Sequence, residues 1–167
     1  MAFREISVEE LKDNPFTLIN KDWMLITAGN REKHNTMTAS WGGAGELWGR
    51  YVSTIYIRPQ RYTLEFVERE DYYSLCFFGP EYRQALNLCG SKSGREIDKD
   101  AATGLTPCFD EAAPYYEQAR LVFLCRKLYR QDLEEGCFLD KGLLEKWYDN
   151  DLHRMFIGEI VKVLEKE

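Results

Sequence analysis

Apolar and polar positions alternate with a period of two over several short stretches of this chain, and that period marks half-buried β-strands. Arg50–Arg58 (RYVSTIYIR) is the clearest. Val52, Thr54, Tyr56 and Arg58 fall on one face, Ser53, Ile55 and Ile57 on the other, and Pro59 ends the run. Trp23–Gly29 (WMLITAG) and Tyr72–Phe78 (YYSLCFF) are apolar runs of strand length. Gln118–Gln131 predicts a long strand, with Leu121, Phe123, Cys125 and Lys127 alternating against Val122, Leu124 and Arg126. Met155–Glu165 predicts the last. Thr36–Ser40 alternates as well, with Thr36, Thr38 and Ser40 opposite Met37, Ala39 and Trp41. A turn at Asn30–Asn35 joins it to Trp23–Gly29 as a hairpin. Its small hydroxyls are unusual, because inner strand faces favour large β-branched or aromatic residues.

Helical signals are short. Ser7 and Glu10 make a capping box whose helix is stopped by Pro15. Arg61–Glu70 reads as a helix with Thr63 as N-cap and Glu65 in the first turn. Pro80 opens another and Gly90 closes it, with Tyr82, Ala85, Leu86 and Cys89 at helical spacing. Ser91–Gly104 is a polar loop leading into a short helix. About six strands without regular crossover helices exclude a parallel α/β sheet. The pattern predicts a mainly β (α+β) fold, a closed or partly closed antiparallel barrel with a few short flanking helices. The 167 residues fit one domain spanning 1–167.

Charge and composition narrow the function. A net charge of -6 argues against a nucleic-acid-binding domain. The N-terminal segment lacks a signal-peptide apolar region, and no apolar run is long enough to span a membrane. Five cysteines at wide spacing, with no CxxC, point to a reducing, cytoplasmic setting. Aromatics reach 14%, which suits a β-rich core or a site that stacks flat molecules.

Only His34 and His153 are present, with no GxSxG and no HExxH, so no local motif supports a catalytic triad or a metal site. Three segments do supply anion donors. NTMTAS (Asn35–Ser40) offers hydroxyls and an amide. RPQRYT offers Arg58, Arg61 and the Thr63 hydroxyl. SKSGRE offers Ser91, Lys92, Ser93 and Arg95, with Gly94 permitting close backbone approach. They are either solvated turns or parts of one phosphate site. GGAGELWG (Gly42–Gly49) is either a flexible hairpin loop or backbone passing close to a flat ligand. Trp41 and Trp48, set among its glycines, suit a pocket rim better than a core.

NTMTASWGGAGELW, IYIRPQRYT, SGREIDK and HRMFIGEI occur in that order, and together they resemble the flavin reductase-like, FMN-binding split-barrel family, flavoredoxin-like members included. The resemblance covers roughly Trp23 to Val163. It implies a six-stranded antiparallel Greek-key split barrel, a homodimer, and FMN near the dimer interface. It places Asn35, Thr38, Ala39, Ser40 and Trp41 along the flavin, with Arg58, Tyr62, Thr63, Ser93, Arg95 and Lys99 toward its phosphate. His153 matches a C-terminal histidine near the ring and is the one candidate catalytic residue. The implied activity is an NAD(P)H-dependent oxidoreductase passing electrons from NADH or NADPH through FMN to a flavin or other acceptor. The alternatives are a flavoredoxin-type electron carrier with a protein donor and a non-redox split barrel.

Overall fold

The computed structural model describes residues 2–167. Ten strands are present: β1 (Phe3–Ile6), β2 (Met24–Gly29), β3 (His34–Ala39), β4 (Gly43–Leu47), β5 (Arg50–Ile57), β6 (Tyr72–Phe77), β7 (Pro107–Cys108), β8 (Tyr115–Tyr116), β9 (Leu121–Asp132) and β10 (Arg154–Lys166). Eight of them form one antiparallel sheet with the order β3-β2-β6-β9-β10-β5-β4, and β1 pairs with β10; β7 and β8 pair separately. β3 and β4 follow one another in the chain yet stand at opposite ends of this path without pairing. The barrel is split there. The segment containing α1 (Pro15–Thr17) and a π-helical turn, Leu18–Asp22, sends Leu18 and Ile19 into the barrel core.

The hydrophobic pattern explains which strands lie deepest. Along β2, Met24, Ile26 and Ala28 enter the barrel interior, while Leu25 enters a second core. That second core also holds Cys76 of β6 and Val122 and Leu124 of β9. It is capped by α3 (Arg83–Ser91) through Leu86 and Cys89, and by Tyr115 and Tyr116. A strand covered on both faces reads as a continuous apolar run. On β5, Ser53, Ile55 and Ile57 are inward and buried, and Val52 on the opposite face is buried as well.

The main sheet has eight strands rather than six. β1 is four residues with one buried position, too short to carry a period. β4 is Gly43–Leu47, where a flexible hairpin loop was one expectation; it pairs with β5 in register Gly43↔Thr54 to Leu47↔Arg50. Four glycines in eight residues hide its strand character. The turn that follows has Trp48 at φ 58° and Gly49 at φ 69°, two left-handed residues as a tight antiparallel hairpin needs. At α2 (Thr63–Arg69) the N-cap position is Tyr62, not Thr63, and no side chain caps it. Thr63 is buried and its hydroxyl accepts a bond from the Asn35 amide at 2.8 Å. Among the described residues no helix is long and apolar enough to cross a membrane.

Candidate functional site

β3 is an edge strand, so half of its backbone N–H and C=O groups lack a strand partner. Its small hydroxyls serve two structural ends before they reach any ligand. Thr36 and Thr27 share a buried hydrogen bond at 2.8 Å across the β2–β3 hairpin. Thr38 donates to the Leu86 carbonyl of α3. A Cβ added at Gly90 would lie 3.2 Å from the Thr38 Cβ, so helix and strand are in close contact there. Bulky residues at 36 and 38 would push α3 off the strand.

Beyond that contact, the outer end of β3 opens into a cleft of about 310 Å³. Thr38, Ala39, Ser40, Trp41, Arg58 and His153 all line it, as do Tyr56, Gln60 and Arg61. Six of the twelve residues expected at the site therefore meet in one cleft. The Ser40 hydroxyl has no hydrogen-bond partner among the described residues. Trp41 is 38% exposed and packs edge-on against Trp147, with ring centroids 5.0 Å apart, and tilted against His153 at 5.3 Å.

Trp147 comes from the β9–β10 connection, which includes α5 (Gly142–Trp147) and runs on to His153. This connection reaches the cleft at His153 and clamps Arg58. The Arg58 guanidinium pairs with Asp151 at 2.7 Å, donates to the Trp147 carbonyl at 2.9 Å, and stacks 5.0 Å over Tyr148. Asp151 also accepts from Gln60 and from the Asp149 N–H, and these bonds hold its carboxyl down at about 2. His153 is buried and its Nδ1 lies 2.7 Å from the Tyr148 hydroxyl. Burial, with Arg58 adding repulsion, holds its pKa down at about 4, so the imidazole is neutral at physiological pH.

Arg61 is the cation this arrangement leaves free. Its guanidinium donates to the Gly90 carbonyl at 2.9 Å and forms no ion pair among the described residues. Burial lowers its pKa. Lys99 lies in the same electrostatic neighbourhood: burial lowers it to about 8, and Arg61 pushes it the same way. Lys99 is itself 7% exposed, at the start of α4 (Lys99–Thr103), and donates to the carbonyls of Thr36 at 2.6 Å and Cys89 at 2.9 Å. Arg61 lines the cleft along β3 and Lys99 a neighbouring cleft, and neither has a carboxylate partner among the described residues.

The remaining expected residues lie one step along β3. Asn35, Tyr62 and Lys99 line a second cleft of about 280 Å³ with His34, Gly94 and Asp100. Arg95 lies 4.4 Å over the Tyr62 ring and pairs with Glu65, and the Ser93 hydroxyl accepts from the Arg95 N–H. Arg95, Ser93 and Thr63 line neither cleft; they brace the loop that does. A larger cavity of about 450 Å³, lined by Pro59, Leu64, Leu133 and Leu144, is a poorer candidate. Its arginine, Arg154, is already paired with Asp132 and Glu68. Of the cleft residues, Arg61 belongs to the RPQRYT donor cluster but not to the set carried by the resemblance; Trp147 and Asp151, which back Trp41 and Arg58 from outside the cleft lining, carried no sequence signal.

The barrel is split beside an edge strand, and the cleft along that edge carries Arg58 and Arg61. The chain belongs to the flavin reductase like domain family, whose model matches residues 17–167. Solved structures agree on the fold. An FMN-binding domain of a flavin reductases-like enzyme from Shewanella baltica superposes with a TM-score of 0.70 at 15% identity, covering 98% of this chain and 77% of that one. Flavoredoxin from Methanosarcina acetivorans gives 0.68 at 21%, with coverage of 96% and 77%. An NADH:FAD oxidoreductase from Streptomyces globisporus, solved with NAD and FAD fragments, gives 0.63 at 14%, with 87% and 74%. No curated protein sequence matches the chain.

Proposed function

We propose that the cleft along β3 binds FMN and that the protein is an oxidoreductase, taking electrons from NADH or NADPH and passing them to a flavin or other acceptor. The observation that carries this reading is Arg61, a half-buried guanidinium on the cleft with no carboxylate partner, beside Lys99. A phosphate dianion supplies the missing charge. The other needs of a flavin are met nearby: unpaired edge groups of β3 and the Ser40 hydroxyl for the polar rim of the ring, and Trp41 and Tyr56 for its flat surfaces.

When bound, FMN supplies the redox chemistry, which explains why no triad or metal motif is present. The protein's part is to hold, orient and shield. Arg61 and Lys99 fix the phosphate end. Trp41, braced by Trp147, closes the cleft against water. Neutral His153, its Nδ1 held by the Tyr148 hydroxyl, lines the cleft beside Trp41. A homodimer fits an exposed aromatic patch on the β4–β5 hairpin, where Trp48 is 57% exposed with Tyr129 6.3 Å away. The setting proposed is the cytoplasm.

Anaerobic mixing of FMN-loaded protein with NADH and with NADPH tests the donor. Bleaching of the flavin absorbance by either one supports the reductase. Bleaching by neither, with retained FMN, favours a flavoredoxin-type carrier whose net charge of -6 suits a basic protein donor.

A further inference from the structure

A further cavity, about 210 Å³, lies against the barrel core on the side of the split, lined by none of the residues of the cleft along β3. Its inner walls are Leu18, Ile19, Met24, Leu75, Phe77, Phe123 and Ile160, all buried. Its outer wall is β4, where Gly43, Ala44 and Gly45 carry little or no side chain; a Cβ at Gly43 would already lie 3.1 Å from the Thr54 hydroxyl. A Cβ added at Gly45 would meet nothing within 4 Å. Protein interiors tolerate few voids larger than a water molecule, and apolar cavities of about 150 Å³ bind benzene-sized molecules. This cavity exceeds that size.

Its chemistry is selective. Asp13 at the rim is paired with Arg120 at 2.8 Å, so no free charge faces the space. The polar side chain on the floor is Ser53, already bonded to the Tyr73 hydroxyl at 3.1 Å and the Cys125 thiol at 3.3 Å. Water entering would find too few partners to replace its bulk hydrogen bonds. A charged ligand would lose its hydration without compensation. An uncharged hydrocarbon ring loses neither and gains contact with the apolar walls.

We propose that this barrel cavity is a binding site for a small, uncharged, chiefly apolar molecule of single-ring size, distinct from the flavin site. Its residues are separate from those of the flavin cleft, so it stands or falls apart from the FMN reading. The test is methyl-detected NMR on the FMN-loaded protein and on the protein without FMN, titrated with benzene and, separately, with benzoate. The proposal expects saturable benzene shifts in the methyls of Leu18, Ile19, Leu75 and Ile160, in both forms, and none with benzoate. Val8→Phe at the rim and Leu75→Phe in the wall each place a ring in the space, and at least one of them should weaken benzene binding about tenfold or more. Because the wild-type titration needs no variant, a misfolded Leu75→Phe leaves the test intact. Wall methyls that stay unmoved up to the solubility of benzene, an equal response to benzoate, or unchanged affinity in both folded variants would overturn it.

Discussion

Arg58 and Asp151 lie 93 positions apart in the chain and 2.7 Å apart in space, and that ion pair leaves Arg61 as the RPQRYT arginine without a carboxylate partner among the described residues. Arg58 holds the β9–β10 connection in place. Arg61, three residues on, has only a carbonyl partner. Arg61→Ala is therefore expected to weaken FMN binding by about 1.5–3 kcal/mol, the range for a charge-assisted hydrogen bond. Arg58→Ala is expected to change FMN affinity less than about threefold and to lower folding stability by about 1 kcal/mol. Flavin fluorescence titration and urea denaturation of the two variants separate the roles. Equal losses of affinity would contradict the assignment.

Thr38, on β3, and Ser40, just past its end, both line the cleft but have different partners. Thr38→Val removes the bond to the Leu86 carbonyl and should cost about 0.5–1.5 kcal/mol of stability, with little change in FMN affinity. Ser40→Val removes a cleft hydroxyl with no protein partner, so stability should hold while FMN affinity falls. The pair of denaturation midpoints and the pair of Kd values check this directly; a stability loss confined to Ser40→Val would reverse it.

His153 makes stability depend on pH in a defined window. Its folded pKa, about 4, lies below the ordinary value near 6.5, so between these the unfolded chain binds the extra proton. The contribution is fully present above pH 6.5 and is lost as pH falls toward 4, with a slope of at most about 1.4 kcal/mol per pH unit. Stability of wild type and His153→Gln, measured between pH 5 and 7, should show the slope flattening in the variant. An unchanged slope would mean that His153 is charged or exposed in solution.

Gly158 sits where Tyr73 crosses the barrel. An added Cβ would lie 2.3 Å from the Tyr73 hydroxyl oxygen and 2.8 Å from its ring carbon, and a register shift falls between Ile157 and Gly158. Gly158→Ala is expected to destabilise the fold by about 1–3 kcal/mol through overpacking. Chemical denaturation gives the number; a change below about 0.5 kcal/mol would show that Tyr73 moves aside freely.

The barrel was legible in the sequence where one face of a strand is apolar and the other polar, as on β5, or where both faces are buried, as on β2. It was illegible at β4, where glycines leave no pattern, and at β1, where four residues are too few to hold one. The site was legible in residue types. Donors and small residues around Asn35–Trp41 and Arg58–Thr63 do fall beside one edge strand. Which donor is free was not legible, because it depends on charges brought from far along the chain. Asp151 claims Arg58, and the carbonyls of Thr36 and Cys89 claim Lys99, through contacts that no local spacing encodes.

The central claim is that Arg61 gives the cleft along β3 a phosphate-reading end, with Lys99 in the neighbouring cleft. Titration of the protein with FMN and with riboflavin, which lacks the phosphate, followed by flavin fluorescence in wild type and Arg61→Ala, tests it most directly. The account predicts saturable quenching by wild type with FMN, binding of riboflavin weaker by tenfold or more, and loss of that preference in Arg61→Ala. Equal affinity for FMN and riboflavin in wild type, or no quenching with either, would contradict it.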